Sequence, residues 1–308
     1  MIPAYQWHQN PGLGANVDVM CDTDSPTVLP TTGTGTTRQD WERFRLNRNA
    51  ALSDGHGWLS LTSLQWLSAE AAELRLFPGL WSADNGWAAD KEGNTDDGAA
   101  TLWAEPGDGL LFADSQLPAS GTLTATLADE ESLLWVQHGS TIAELARRGG
   151  RYLVRTRDSQ SPVLQAFHGV PVFDFRADLV LPGRFEPYPG PRVVNRTTAN
   201  ETVSASTEIV GELVFELDGH DHRLLAEDGG SGALDVTFHD ATNHRSTAGW
   251  RKLTVPRPSG TAVVLDFNKS MNYPSAFTAF GTCPMPVQGN RLDAPIEAGE
   301  KAPDSDDR

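Results

Sequence analysis

The chain has 308 residues, 39% of them apolar and 8% aromatic, enough for one large or two small domains with a sizeable core. Its formal charge is −17, from 41 acidic and 24 basic residues, which argues against nucleic acid and anionic membranes as partners because both need a cationic face. Two cysteines, Cys21 and Cys283, can build neither a disulfide scaffold nor a four-thiolate metal site. No apolar run of about 18 residues is present, and Met1–His8 lacks the basic and apolar regions of a secretion signal. The expectation is a cytoplasmic protein with no membrane contact; a homo-oligomer stays open.

Residues 1–36, with Pro3, Pro11, Pro26, Pro30 and the Thr/Gly tract at 31–37, show no hydrophobic period and read as a loose extension. A helix is expected from Thr37, which has capping-box spacing to Asp40. Trp41, Phe44, Ala51 and Leu52 would share its apolar face, with Arg43, Arg45 and Asn47 elsewhere, and Gly55 and Gly57 would end it. Beyond it, short apolar or alternating runs separated by turn residues predict strands. They fall at 59–67, 100–103, 109–112, 121–127, 133–138, 151–156, 177–181, 202–209, 212–217, 220–225, 234–238, 250–255 and 261–265. Asp218-Gly219 suits a two-residue primed turn. The fold class is therefore mainly β, an antiparallel sandwich or barrel with an N-terminal helix. It forms a single domain over 37–300, followed by an acidic tail at 301–308.

Arg147, Arg148, Arg151, Arg155 and Arg157 cluster in one span. A solvated outer face is the plainer reading, and a carboxylate- or phosphate-binding patch the sharper one. His220 and His222, near Asp218, share a strand face, but no third ligand stands at diagnostic spacing, so no metal is expected. His168 lies in an apolar run, as a core histidine or as a base in a pocket. No nucleotide-binding glycine fingerprint, nucleophile elbow, zincin or EF-hand pattern occurs.

The densest mixture of polar and aromatic side chains runs from Asp266 to Glu300. Asp266 emerges from an apolar strand and suits a general acid or base. Asn268, Asn272 and Asn290 can hold a carbonyl or oxyanion. Arg291 can orient a substrate, or pair with Glu297 and Glu300. Cys283 is a candidate nucleophile or a packed thiol. Met271, Tyr273, Phe277, Trp250 and Arg251 would line the pocket. A polar plug that pins the last segment is the competing reading.

This segment resembles the C-terminal signature of a bacterial family known only as domain of unknown function 1684. The matching blocks are Asp266-Phe267-Asn268, Asn272-Tyr273-Pro274, Thr282-Cys283-Pro284-Met285-Pro286, Asn290-Arg291-Leu292 and Ala298-Gly299-Glu300. Gly57 to Leu61, with Trp66-Leu67, is similar to its upstream block, so the likeness spans roughly 40–300. Ser275 stands where relatives place a cysteine, and Thr247 and Trp250-Arg251 depart from a tyrosine and a Gly-Arg. The resemblance implies no reaction. The expected function is a cofactor-independent enzyme (isomerase, cyclase, lyase or hydrolase) acting on a fairly apolar metabolite in a biosynthetic pathway. Asp266, Asn268, Arg291, Cys283 and His168 would be its catalytic groups. The alternatives are a non-catalytic small-ligand binding protein and, third, a metal-dependent oxygenase.

Overall fold

The computed structural model describes residues 5–6, 36–86 and 98–303. Most of the extension expected over 1–36, with Cys21, and the acidic run 304–308 lie outside the described residues. Two compact units separate inside the stretch the sequence suggests is one domain. The first holds Asp54–Gln165; the second joins the segment ending at Ser53 to the one beginning at Ala166.

The first unit is a β-sandwich of β1 (Tyr5–Gln6), β2 (Leu61–Trp66), β3 (Ala72–Leu74), β4 (Phe77–Asp84), β5 (Ala99–Ala104), β6 (Leu111–Phe112), β7 (Gly121–Ala125), β8 (Ser132–His138), β9 (Thr141–Arg148) and β10 (Arg151–Asp158). One five-stranded sheet has the order β1-β7-β5-β4-β3, the other β2-β10-β9-β8-β6. Every pairing but β1–β7 is antiparallel. Period-two alternation sends Trp81, Leu102 and Leu123 inward from the first sheet and Trp135, Leu145, Tyr152 and Val154 inward from the second. The Trp81 and Trp135 rings meet edge-on, 5.7 Å between centroids. Strand β4 crosses β5 closely because Gly79, at φ +90°, has no Cβ: one there would lie 2.5 Å from Leu102 Cδ1.

The arginine cluster is not a solvated face. Strands β9 and β10 are buried on both sides, and their register sets Glu144 directly opposite Arg155. Arg155 Nη1 donates to Glu144 Oε1 at 3.0 Å and Arg157 Nε to Oε2 at 2.8 Å. All three side chains are almost fully buried. The guanidiniums lie over the Trp58 ring, at 5.9 and 4.9 Å. The carboxylate that the cluster binds is thus the protein's own. Arg151 alone of the five arginines is exposed, stacked 4.3 Å over Trp66.

The second unit contains helix α1 (Arg38–Leu52) and strands β11 (Val180–Thr197), β12 (Ser204–Leu217), β13 (His220–Asp228), β14 (Ala233–Phe238), β15 (Arg251–Pro256), β16 (Ala262–Asp266) and β17 (Met271–Asn272). The strands form one antiparallel sheet in the order β16-β11-β12-β13-β14-β15-β17. Edge strands β16 and β17 do not pair with each other, so the barrel half of the expectation is corrected: the sheet does not close. The turn at Asp218 and Gly219 has both φ positive, +53° and +76°, as a primed hairpin requires.

Thr37 caps α1 in the expected capping box with Asp40. The expected apolar face is turned inward, with Leu52 buried and Trp41, Phe44 and Ala51 half-buried, but Arg45, expected elsewhere, and Arg48 join it. Arg45, Arg48 and Leu52 are buried, while Leu46 is 70% exposed. Arginines face inward because a carboxylate waits for them: Arg45 Nη1 and Arg48 Nε donate to Glu300 Oε1 at 2.9 and 3.1 Å. Lys301 and Ala302, expected in a tail, donate backbone N–H groups to Pro171 O and Ser246 O.

Candidate functional site

The terminal segment is built as the competing reading describes. Asn268 pairs with the Arg176 peptide as a strand neighbour would: Oδ1 accepts its N–H at 2.7 Å and Nδ2 donates to its carbonyl at 2.8 Å. Asn290 fills the gap where β13 and β14 diverge. Its Oδ1 accepts from Leu225 N, and its Nδ2 donates to Leu225 O and Thr237 O. Asn272 donates through Nδ2 to Lys301 O, and its own peptide joins Glu300 and Arg48. Asn268 and Asn290, expected to polarise a substrate, therefore stand in for missing peptide groups, while Asn272 Oδ1 is buried without a partner.

Charge is handled in the same way. Glu300 is fully buried; burial opposes its ionisation, but Arg48 and Arg45 outweigh that and hold its carboxyl below the ordinary range. Its partners are these helix arginines and not Arg291, which is exposed. Arg251 is fully buried; its Nη2 donates to Asp240 Oδ2 at 2.7 Å and to Ile296 O at 2.8 Å, and its Nη1 to Ala298 O. Burial lowers its pKa and Asp240 opposes that. Arg251 thus ties the last segment to the sheet, leaving no donor group facing outward from its Nη atoms.

The remaining expected residues do not assemble. Asp266 Oδ1 accepts from Asn268 N and Nδ2, capping a single 3₁₀ turn. Met271, Tyr273, Phe277 and Cys283 are buried, and Tyr273 bonds its hydroxyl to Thr237 Oγ1 at 2.5 Å. Trp250 is half-buried. His168 is exposed, neither in the core nor in a pocket, because it follows the end of a short helical turn in an irregular stretch. His220 bonds the Asp218 carbonyl and His222 stacks on Phe215. Among the described residues no group of three or more His, Cys, Asp or Glu side chains is placed to hold a metal.

A cleft appears elsewhere, on the outer face of the first unit's β1-β7-β5-β4-β3 sheet. It is a groove of about 750 Å³, within the range of small-ligand sites. Register places Glu73, Leu80, Trp103 and Thr122 in one row across β3, β4, β5 and β7. Their neighbours Trp81, Leu102 and Leu123 point into the core, so the row points out. Leu80 is 44% and Trp103 39% exposed. The turn after β5 adds Glu105 and Asp108, the latter accepting Glu105 N–H at 2.7 Å, and Arg75 lies at the β3 side. The sequence carried one signal for this site: a tryptophan on the outward phase of a strand whose inward phase is alanine and leucine.

Residues 165–301 match the model of a family described as "Protein of unknown function (DUF1684)". The match spans less than half of the chain. The DUF1684 match covers the terminal blocks Asp266–Glu300 but not the upstream block at 57–67, so the family likeness is narrower than the 40–300 expected. The groove lies outside the DUF1684 match. A solution NMR structure of an uncharacterized protein from Haloarcula marismortui is 26% identical, over 44% of this chain and 78% of that one, with a TM-score of 0.38. No curated protein matches. Among the described residues no helix is long and apolar enough to cross a membrane.

Proposed function

We propose that this protein binds a small molecule without transforming it, in the groove on the outer face of the first unit's sheet. The observation that carries this reading is the pair Leu80–Trp103: two large apolar side chains held outward and side by side in a groove with a charged rim. Solvent contact of this kind costs stability, and an apolar floor with a few polar groups around it is how small-ligand sites are made. The side-chain amides of Asn268 and Asn290 in the terminal segment, by contrast, are engaged with main chain. A cytoplasmic location goes with this proposal, on the chain's cysteine usage.

Native mass spectrometry of the freshly purified full chain tests the reading. The expected result is a retained small molecule, recovered chemically unchanged after prolonged incubation, and lost in Trp103→Ala while the Tm stays within a few degrees. Conversion of the retained molecule, or retention unaffected by Trp103→Ala, would overturn it.

One observation favours an enzyme centred on Asp266: its Oδ2 is buried and accepts no hydrogen bond, with Lys269 Nζ 3.6 Å away. On that reading Asp266→Asn abolishes turnover of the retained molecule at an unchanged Tm.

A further inference from the structure

We propose that the groove takes an organic dication, two ammonium groups joined by an apolar chain; this rests on the binding reading above. Three acidic residues, Glu73, Glu105 and Asp108, line the groove against one arginine, Arg75. A neutral sugar or alcohol would not need that imbalance, and an anion would be repelled by it.

The placement of the charges is more specific than their number. Glu73 sits on the edge strand β3, and Glu105 lies two residues beyond Trp103. From Glu73 to Trp103 are two strand spacings, about 10 Å, and from Trp103 to Glu105 about 7 Å along the chain. Glu73 and Glu105 therefore flank the Leu80–Trp103 pair, roughly 12 Å apart at the backbone. Between them are Leu80 and the Trp103 face, which offer apolar contact and a quadrupole for a passing cation. A flexible chain of about six methylenes with an ammonium at each end spans this distance and matches both surfaces. Gly79 keeps β4 close against β5, which holds Leu80 beside Trp103.

Isothermal titration calorimetry of the full chain at pH 7 and low salt decides this, with 1,6-diaminohexane, hexylamine, 1,6-hexanediol and glucose as probes. The diamine is expected to bind one to one, about fivefold more tightly than hexylamine, since the second ammonium adds one exposed ion pair. The diol and glucose are expected to show no heat. Trp103→Ala should weaken the diamine about tenfold. Glu73→Gln and Glu105→Gln should each weaken it about two- to fivefold. Glu208→Gln, an exposed acid on β12, should change nothing. Equal binding of the diol or glucose, lost in Trp103→Ala, would overturn the dication and leave the binding reading standing. Diamine binding that ignores Trp103→Ala, or that falls equally in Glu208→Gln, would be diffuse attraction to the chain's charge and would also overturn it. If no probe binds, the dication falls, and ligand retention in the native mass spectrum separately decides the binding reading.

Discussion

Replacing Glu144 by Gln should be the most damaging single-atom change in the first unit. The carboxylate is 1% exposed and holds Arg155 and Arg157, themselves 0% and 5% exposed. Burial pushes its pKa up, but the charges of Arg157 and Arg155 outweigh this and bring it to about 2, from an ordinary 4.5. A shift of that size corresponds to about 3 kcal/mol of native-state preference for the charged form. Leaving two buried guanidiniums without their counter-ion costs a similar amount, about 3–5 kcal/mol.

Hydrogen exchange read by mass spectrometry on peptides from β9 and β10 is the assay, since it reports this sheet without needing the whole chain to unfold as one. Exchange there should accelerate about a hundredfold in Glu144→Gln at pH 7. The direction with pH follows from the sign of the shift. As pH falls, the unfolded chain takes up the proton near 4.5 and the folded one only near 2, so the contribution is complete above about 4.5 and is lost between there and 2. The Gln variant should lack this group's share of the acid sensitivity. Replacing all three residues together, Glu144→Leu with Arg155→Leu and Arg157→Met, should recover much of the loss, because no unpaired charge remains. Exchange in Glu144→Gln within threefold of the parent, or a triple variant as unstable as the single one, would refute the account.

Glu300→Gln should destabilise the second unit by about 3 kcal/mol for the same reason, with Arg45 and Arg48 left unpaired, read as a fall in Tm. Asn290→Ala should cost about 2–4 kcal/mol in urea unfolding, since it strips partners from Leu225 N, Leu225 O and Thr237 O at once. Gly79→Ala should cost about 1–3 kcal/mol in thermal unfolding, because its Cβ would press on Leu102 Cδ1 and its φ of +90° is strained for alanine.

What could be read from sequence was local. The capping box at Thr37 and Asp40 and the Asp218-Gly219 turn depend on three or four adjacent residues, and both formed. Strand β9 was missed because Glu144, Arg147 and Arg148 break its apolar pattern; it is a strand because Arg155 and Arg157 neutralise Glu144 from the next strand. Strand β4 was hidden by Pro78 and Gly79, and the length of β11 by Pro182, Pro187, Pro189 and Pro191, which reach far beyond the five residues that pair with edge strand β16. The buried arginines of α1 were not legible because arginine reads as solvent-facing until its carboxylate, about 250 residues away, is known.

The density of polar groups after Asp266 was a true signal whose meaning depends on the main chain. An amide can meet a ligand's carbonyl or a peptide's, and the two uses look alike in a sequence. They differ in what surrounds the amide. Asn268 and Asn290 each meet both the N–H and the carbonyl of one residue, a two-sided fit that a peptide unit offers and that holds a segment in place. A binding surface needs the opposite condition: groups placed by strong local structure and yet left uncovered. Trp103 meets it. Its backbone is fixed by pairing to Leu80 and Thr122, and its side chain is held on the outer phase by the burial of Leu102 and Ala104 on either side. The folding of β5 thus requires the tryptophan to face outward without itself gaining from that exposure. A residue kept there against its own solvation is better explained by what it contacts than by what it stabilises.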